Sequence, residues 1–505
     1  MKLWSLSLLL LGPALAAGEA KLDSRIFVGK PSNETASFLV VLREQADLSG
    51  AERLASKEDK GRFVYEALQQ LAEATQLPLR DRLRQAGVAF RPFFLVNMIE
   101  VQADRALATE LALREDVYAV AANRAAALRV EPLEDPPHAF RLTPSATVEP
   151  NIEKIRAPQV WARGSLGQNV VVAVADSGLT WDHPALRARY RGFDGASVSH
   201  DHNWHDAVHA PAPGNPCGAN SAAPCDDEGH GTSCAGLIAG QEGLNQVGVA
   251  PEARLIACRN MDRGVGTPAT YTECFQFFLA PTDRTGANPR PDLAPDIINN
   301  SWSCPPSEGC TDPQVLRAVV ENTRTAGIFV VLAAGNEGSE CSTVATAPAI
   351  YEASFSVGAT TLGDAIASFS SRGPVLVDGS GRLKPDLVAP GVGVRTAMAP
   401  VGYRLFTGTS AAAPHVSGAV ALLYSAAPDL RGRPVETGEI LKRSAVPLTA
   451  AQDCGGVAGT AVPNAVFGFG RLDVAAAAAL AAPVERTPPR PSVRLRAPRA
   501  LRPRD

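Results

Sequence analysis

Three polar residues far apart in the chain carry the groups that acyl-transfer chemistry needs. Asp176 closes the apolar run "VVVAVADSG", His230 stands between two glycines in "DDEGHGTSCAG", and Ser410 lies in "FTGTSAAAPHVSGAVALL". A serine hydroxyl is a weak nucleophile until an imidazole takes its proton, and the imidazole needs a carboxylate to fix its tautomer and stabilise its charge. A fourth residue, Asn336 in "VVLAAGNEG", ends another apolar run with an amide N–H2 suited to an oxyanion. Each also has an ordinary reading: Ser410 as a helix cap, Asp176 as a strand-end cap, His230 as a structural histidine, Asn336 as a left-handed turn residue. Four such motifs together favour the chemical reading. Gly229, Gly231, Gly408 and Ala411 leave room around them for a substrate backbone.

These groups must be held by regular elements. Around them, short apolar runs ("NVVVAVADSG", "ARLIACRNM", "DIINNSW", "GIFVVLAAGNEG", "ASFSVGA") alternate with helical stretches, as buried parallel strands do. An α/β domain is therefore expected over residues 151–482, with its active residues at the carboxyl ends of strands. Ahead of it, the periodicity predicts a strand over 38–43, a helix over 57–86 broken at Pro78, a strand over 93–101, a helix over 104–114 and a strand over 117–122. That small α+β unit, placed at 18–130, has no cysteine. A linker rich in Pro and charge is expected over 131–150, and a Pro/Arg-rich disordered tail over 483–505. Residues 1–17 read as a secretory signal, with one early Lys, an apolar stretch and small residues near Ala16 and Ala17.

The composition is that of a globular protein, with 45% hydrophobic and 20% charged residues, and a net charge of −4 gives no electrostatic case for binding nucleic acid. No later segment predicts a membrane anchor. All nine cysteines fall between Cys217 and Cys454, so export would permit disulfides and the odd count leaves at least one thiol over. Cys217 with Cys225, and Cys304 with Cys310, are spaced to close short surface loops. A long stretch before His230 holds His200, His202, His205 and His209, a spacing compatible with zinc that reads first as a solvated loop.

The motifs "VADSGLTWDHP", "DEGHGTSCAG", "GVAPEARL", "NNSW", "AAGNEG", "KPDLVAPG" and "GTSAAAPHVSGAVALL", closing with "FGFGRLDV", resemble the successive signatures of the subtilases, the subtilisin-like serine endopeptidases. The order Asp, His, Ser agrees. Within that family the chain most resembles the bacillopeptidase F-like secreted enzymes. The resemblance implies a subtilisin-like parallel sheet flanked by helices, preceded by a ferredoxin-like inhibitory prodomain. It further implies an Asp176, His230, Ser410 triad, with Asn336 and the Ser410 N–H as the oxyanion hole.

By the same resemblance, Gly264, Val265 and Gly266, together with Ser301, Trp302 and Ser303, pair with an extended peptide. Ala333, Ala334 and Gly335 line the primary side-chain pocket, with Glu337 at its rim. Broad specificity with a preference for large apolar side chains is expected. The family often has Gly where Ser303 stands, a departure at the pocket entrance. Autoprocessing is expected between residues 124 and 147, giving a monomer with protein or peptide substrates and its own prodomain as inhibitor. No cofactor is required. Calcium stays unassigned, because the family's "HPDL" here reads "HPAL", with Ala185 replacing a carboxylate ligand. Cys234 resembles a buried free cysteine of proteinase K-like relatives; the four cysteines then left allow three pairings, of which Cys258 with Cys274 and Cys341 with Cys454 are the ones expected, with the connectivity left open. Many relatives hold Met where Ala411 follows the nucleophile. The alternatives are an inactive subtilase serving as a binding module, and an α/β-hydrolase esterase, whose GxSxG elbow and Ser-first order this chain lacks.

Overall fold

A computed structural model describes residues 21–31, 33–124, 143 and 147–482; the expected signal, most of the linker and the tail lie outside them. The N-terminal unit runs β1 (Ala36–Leu42), α1 (Lys57–Ala86), β2 (Ala89–Phe93), β3 (Met98–Ala103), α2 (Arg105–Leu113) and β4 (Val117–Ala122). Its strands form one antiparallel sheet in the order β2-β3-β1-β4, the ferredoxin-like arrangement. Ser56 starts α1 by accepting a bond from Asp59 N, and Gly87 ends it at a φ of 66°.

Two expectations for this unit are corrected. The helix does not break at Pro78 but runs through it, because the proline lies on the exposed side, where water can solvate the Ala74 carbonyl that loses its partner. The single strand expected over 93–101 is a hairpin of β2 and β3. Its turn residues Phe94 and Leu95 are apolar, which hid the turn, and their N–H groups both donate to Gln276 Oε1, at 2.7 and 3.1 Å.

Beyond the linker, seven strands form one parallel sheet: β5 (Val171–Asp176), β6 (Trp204–Asp206), β7 (Arg254–Arg259), β8 (Ile297–Asn300), β9 (Phe329–Ala333), β10 (Phe355–Thr360) and β11 (Leu387–Pro390). Their order is β11-β10-β9-β8-β5-β7-β6. Helices α3 (His230–Ala239) and α6 (Thr409–Ala426) contribute Ile238, Val416 and Val420 to a core with Val172, Val174 and Val331 on one face. Helices α4 (Pro268–Leu279) and α5 (Arg317–Thr325) cover the other face, where Phe275, Phe278 and Val319 meet Ala173, Ile256 and Val330. Both faces are buried, which explains the unbroken apolar runs.

The second of these cores extends into the N-terminal unit through Leu39, Val64, Leu68, Phe93 and Leu95. Polar contacts frame that junction. Lys57 Nζ, buried, lies 3.1 Å from Asp296 Oδ1 and donates to Ala294 O at 2.6 Å. Asn322 Nδ2 donates to Leu95 O at 2.7 Å, and Ala269 N donates to Asn123 Oδ1 at 2.9 Å. Disulfides join Cys217 to Cys225, Cys258 to Cys274, Cys304 to Cys310 and Cys341 to Cys454, and Cys234 is a buried free thiol.

Candidate active site

Asp176 ends β5 and His230 begins α3, and the fold brings them into contact: His230 Nδ1 lies 2.7 Å from Asp176 Oδ1. Asp176 is fully buried and its Oδ1 also accepts from Ser177 N at 2.8 Å. The start of α3 is held by Asp226, a residue the sequence reading did not single out. Asp226 accepts from Gly229 N (2.7 Å), Thr232 N (2.8 Å) and Ser177 Oγ (2.8 Å), so one carboxylate ties the helix entrance to the strand end. A negative group at a helix N-terminus is also favoured by the helix dipole. Burial works against a charged His230, but the Asp176 carboxylate outweighs it and raises the imidazole pKa above its ordinary value. Phe406 closes one side of the ring, edge-on at 5.3 Å between centroids.

Ser410 sits in the first turn of α6, after Gly408 at a φ of 148°. Pro414 lies four residues on and has no N–H to give to the Ser410 carbonyl. That carbonyl is taken instead by Ser301 Oγ at 3.2 Å and by the Cys234 thiol at 3.6 Å. Burial pushes the Cys234 pKa up, so it stays a neutral donor. Ser410 Oγ donates to Ser301 O at 2.8 Å, and no bond to His230 is formed in this state. Asn299 supports this arrangement, donating to Ser301 Oγ at 3.0 Å and accepting from Ser417 Oγ at 2.8 Å; the sequence offered only its place in "NNSW" as a signal.

Asn336 follows β9. Its Oδ1 accepts from both Thr409 N and Thr409 Oγ1 at 2.9 Å, which fixes the amide with Nδ2 as the free donor end. The Ser410 N–H, in the first turn of α6, has no intrahelical acceptor. The two donors therefore stand at the same helix entrance.

The expected substrate-binding residues fall in three places. Val265 and Gly266 form a small hairpin with Met261 and Asp262, and Gly264 makes its turn. A side chain at 266 would strike the Tyr271 ring, 2.4 Å from its Cζ, so glycine is required there. Tyr271 stacks on Trp302 at 3.8 Å and donates to Glu308 Oε2 at 2.7 Å. Burial pushes Glu308 up to about 7. Trp302 is pinned by its indole N–H to Ala175 O at 2.9 Å, beside the buried Ser301 and the half-buried Ser303. Ala333 and Ala334 are buried at the end of β9, and Gly335 N donates to Thr409 Oγ1 at 3.3 Å. Glu337 folds back over Gly335, its Oε2 accepting from Ser371 Oγ at 2.6 Å.

The loop histidines are not simply solvated, contrary to the first reading. His200 meets the Tyr190 hydroxyl at 3.0 Å, His202 meets Asn288 O at 3.1 Å, and His205 and His209 both meet Glu273. At the "HPAL" stretch, Ala185 packs with Val247 and Tyr403. Beside that Tyr403 ring, at 4.2 Å, lies the guanidinium of Arg395, which donates to Glu149 Oε1 (2.8 Å), Asn245 Oδ1 (2.7 Å) and Thr143 O. Calcium needs six to eight oxygen ligands, and this guanidinium would repel it. These residues do not fit a calcium ion.

A parallel sheet with an Asp–His pair at its carboxyl edge and a serine at the entrance of a buried central helix defines a subtilisin-like serine hydrolase architecture. The chain belongs to the subtilase family, whose sequence profile matches residues 167–470. It is 32% identical over 459 residues to bacillopeptidase F of Bacillus subtilis (strain 168), a match covering 85% of this chain and 31% of that protein. Subtilisin E of the same organism is 34% identical over 279 residues, covering 55% of this chain and 61% of that protein. The major intracellular serine protease of Bacillus subtilis (strain 168) is 31% identical over 311 residues, covering 60% and 85%. The chain thus spans about a third of the length of bacillopeptidase F.

Proposed function

We propose that this chain is the zymogen of a secreted serine endopeptidase that cleaves proteins with broad specificity. The 2.7 Å contact between Asp176 and His230, at the same sheet edge as Ser410 and Asn336, is the observation that carries this reading. Ser410 Oγ attacks the scissile carbonyl carbon while His230 Nε2 takes its proton, and the oxyanion is held by Asn336 Nδ2 and the Ser410 N–H. The C–N bond breaks as His230 returns the proton to the amine, leaving an acyl ester on Ser410. Water, deprotonated by His230, then releases the acid and restores the serine.

The N-terminal unit acts as an inhibitory prodomain. Its ferredoxin-like sheet shares an apolar core with the catalytic domain, and its last described residue, Arg124, lies beside Gly309 and Pro268, at the entrance of α4 that follows Val265 and Gly266. Thr143 and Glu149 are held by Arg395 of the catalytic domain, which supports a maturation cut ahead of them, within the expected range of residues 124 to 147. Secretion is supported by the signal-like residues 1–17, and among the described residues no helix is long and apolar enough to cross a membrane. The mature enzyme is monomeric.

The test is to express the precursor and its Ser410→Ala variant in parallel. The parent shortens by the mass of its prodomain and hydrolyses casein, and the variant does neither. A variant that matures and digests casein unaided overturns the triad.

A further inference from the structure

A second cluster of titratable groups straddles the junction between the N-terminal unit and the catalytic domain. At its centre is Glu273 on α4, nearly buried. Its Oε1 meets His205 Nε2 at 2.7 Å and His209 Nε2 at 2.9 Å, and its Oε2 meets His209 Nε2 at 3.0 Å. The same Oε2 accepts from Arg91 Nη1, which reaches across from β2 of the N-terminal unit. Arg91 also lies 3.6 Å from Glu100 on β3, and Glu100 is further engaged by Ser37 and Asn123 at 2.9 Å. Phe277 stacks on His205 at 5.2 Å. His209 Nδ1 meets Asn220 Oδ1, so both ring nitrogens of His209 face acceptors. A cavity of about 500 Å³, lined by Glu73 and Arg80 of α1 together with Arg91, His205 and Glu273, opens beside the cluster and admits water to it.

We propose that His209, which shares the Glu273 carboxylate with His205 and Arg91, makes the grip of the N-terminal unit on the catalytic domain pH-dependent, with acidification loosening it. The imidazoles and Arg91 compete for one carboxylate. When His209 is protonated, Glu273 is compensated from within its own domain and Arg91 faces like charge. When it is neutral, Arg91 is the cation that Glu273 needs.

Linkage gives the sign. Burial opposes a charged His209, Glu273 outweighs it and raises the His209 pKa, and Arg91 pushes that value back down. Opening the junction removes Arg91 while Glu273 stays beside the imidazole in its own domain, which favours the charged imidazole. The open state therefore binds protons more tightly, and lowering the pH through the histidine range favours opening. A difference of half to one pKa unit between the states changes the opening equilibrium about three- to tenfold. The consequence for activation rests on the prodomain reading; the grip itself does not.

Hydrogen exchange on the full-length Ser410→Ala chain tests the grip without any need for activity. The reporters are the Phe94 and Leu95 amides, which donate to Gln276, and the Ala269 amide, which donates to Asn123. After correction for intrinsic rates, their protection is expected to fall about three- to tenfold between pH 8 and pH 5.5, while β8 and β9 amides hold. The His205→Gln/His209→Gln double variant and, separately, Arg91→Gln should each flatten this dependence. Protection at the junction that ignores pH in the parent, or a dependence that survives in both variants, overturns the proposal.

Discussion

In the proposed mechanism His230 takes a proton only while its Nε2 is unprotonated, so the raised pKa set by Asp176 should govern the acid side of the activity profile. The acid limb of kcat/KM is expected above the ordinary histidine value of about 6.5, and Asp176→Asn should move it down while lowering kcat on the order of 10³- to 10⁴-fold. The same shift stabilises the folded state below about pH 6.5, and that contribution is lost as pH rises through the elevated value. Ala411 follows the nucleophile and is fully buried. Brief peroxide should therefore leave peptide hydrolysis largely intact in the parent and abolish most of it in Ala411→Met, where a polar sulfoxide would crowd the oxyanion site. Equal inactivation of both would place the oxidation-sensitive group elsewhere. At this scale, residues that stand in dense local motifs were legible in the sequence. Asp226, Asn299 and Glu273 were not, because their roles come from distant partners that only the fold supplies: Ser177 lies 49 residues from Asp226, Ser417 lies 118 from Asn299 and His205 lies 68 from Glu273.

The elements place these residues through close backbone approach rather than through side-chain size. Gly231, in the first turn of α3, lies against β5 so tightly that an added Cβ would sit 2.2 Å from Gly178 O and 3.1 Å from Asp176 Cβ. Gly231→Ala is thus expected to cost about 3 kcal/mol by overpacking. It should lower activity further than Tm alone accounts for, since shifting the start of α3 moves His230; a variant with parental Tm and activity would show that the helix entrance is looser than the structure has it. The alternation of apolar runs and helices announced the parallel sheet, since strands covered on both faces leave a continuous apolar signature. Pro78 and the Phe94–Leu95 turn misled for the converse reason: a proline facing water costs a helix little, and a turn capped by Gln276 from another domain can be as apolar as a strand.

Across the whole molecule, Arg395 anchors the start of the catalytic domain through its ion pair with Glu149. Excess EDTA should accordingly leave Tm unchanged within about 1 °C in calcium-free buffer, as followed by calorimetry. Arg395→Met should cost about 3–5 kcal/mol by stranding Glu149, and adding Glu149→Gln should recover part of it. A parent enzyme that loses stability to EDTA while Arg395→Met behaves normally would refute this. The Cys341–Cys454 disulfide spans 113 positions, and Ser410 lies inside the closed segment. An enzyme that cuts polypeptides meets its own surface loops at the highest local concentration of all. A single self-inflicted cut between those cysteines leaves the two fragments joined by the disulfide, so wear in this stretch yields nicked but unsplit molecules, one band without reductant and two with it.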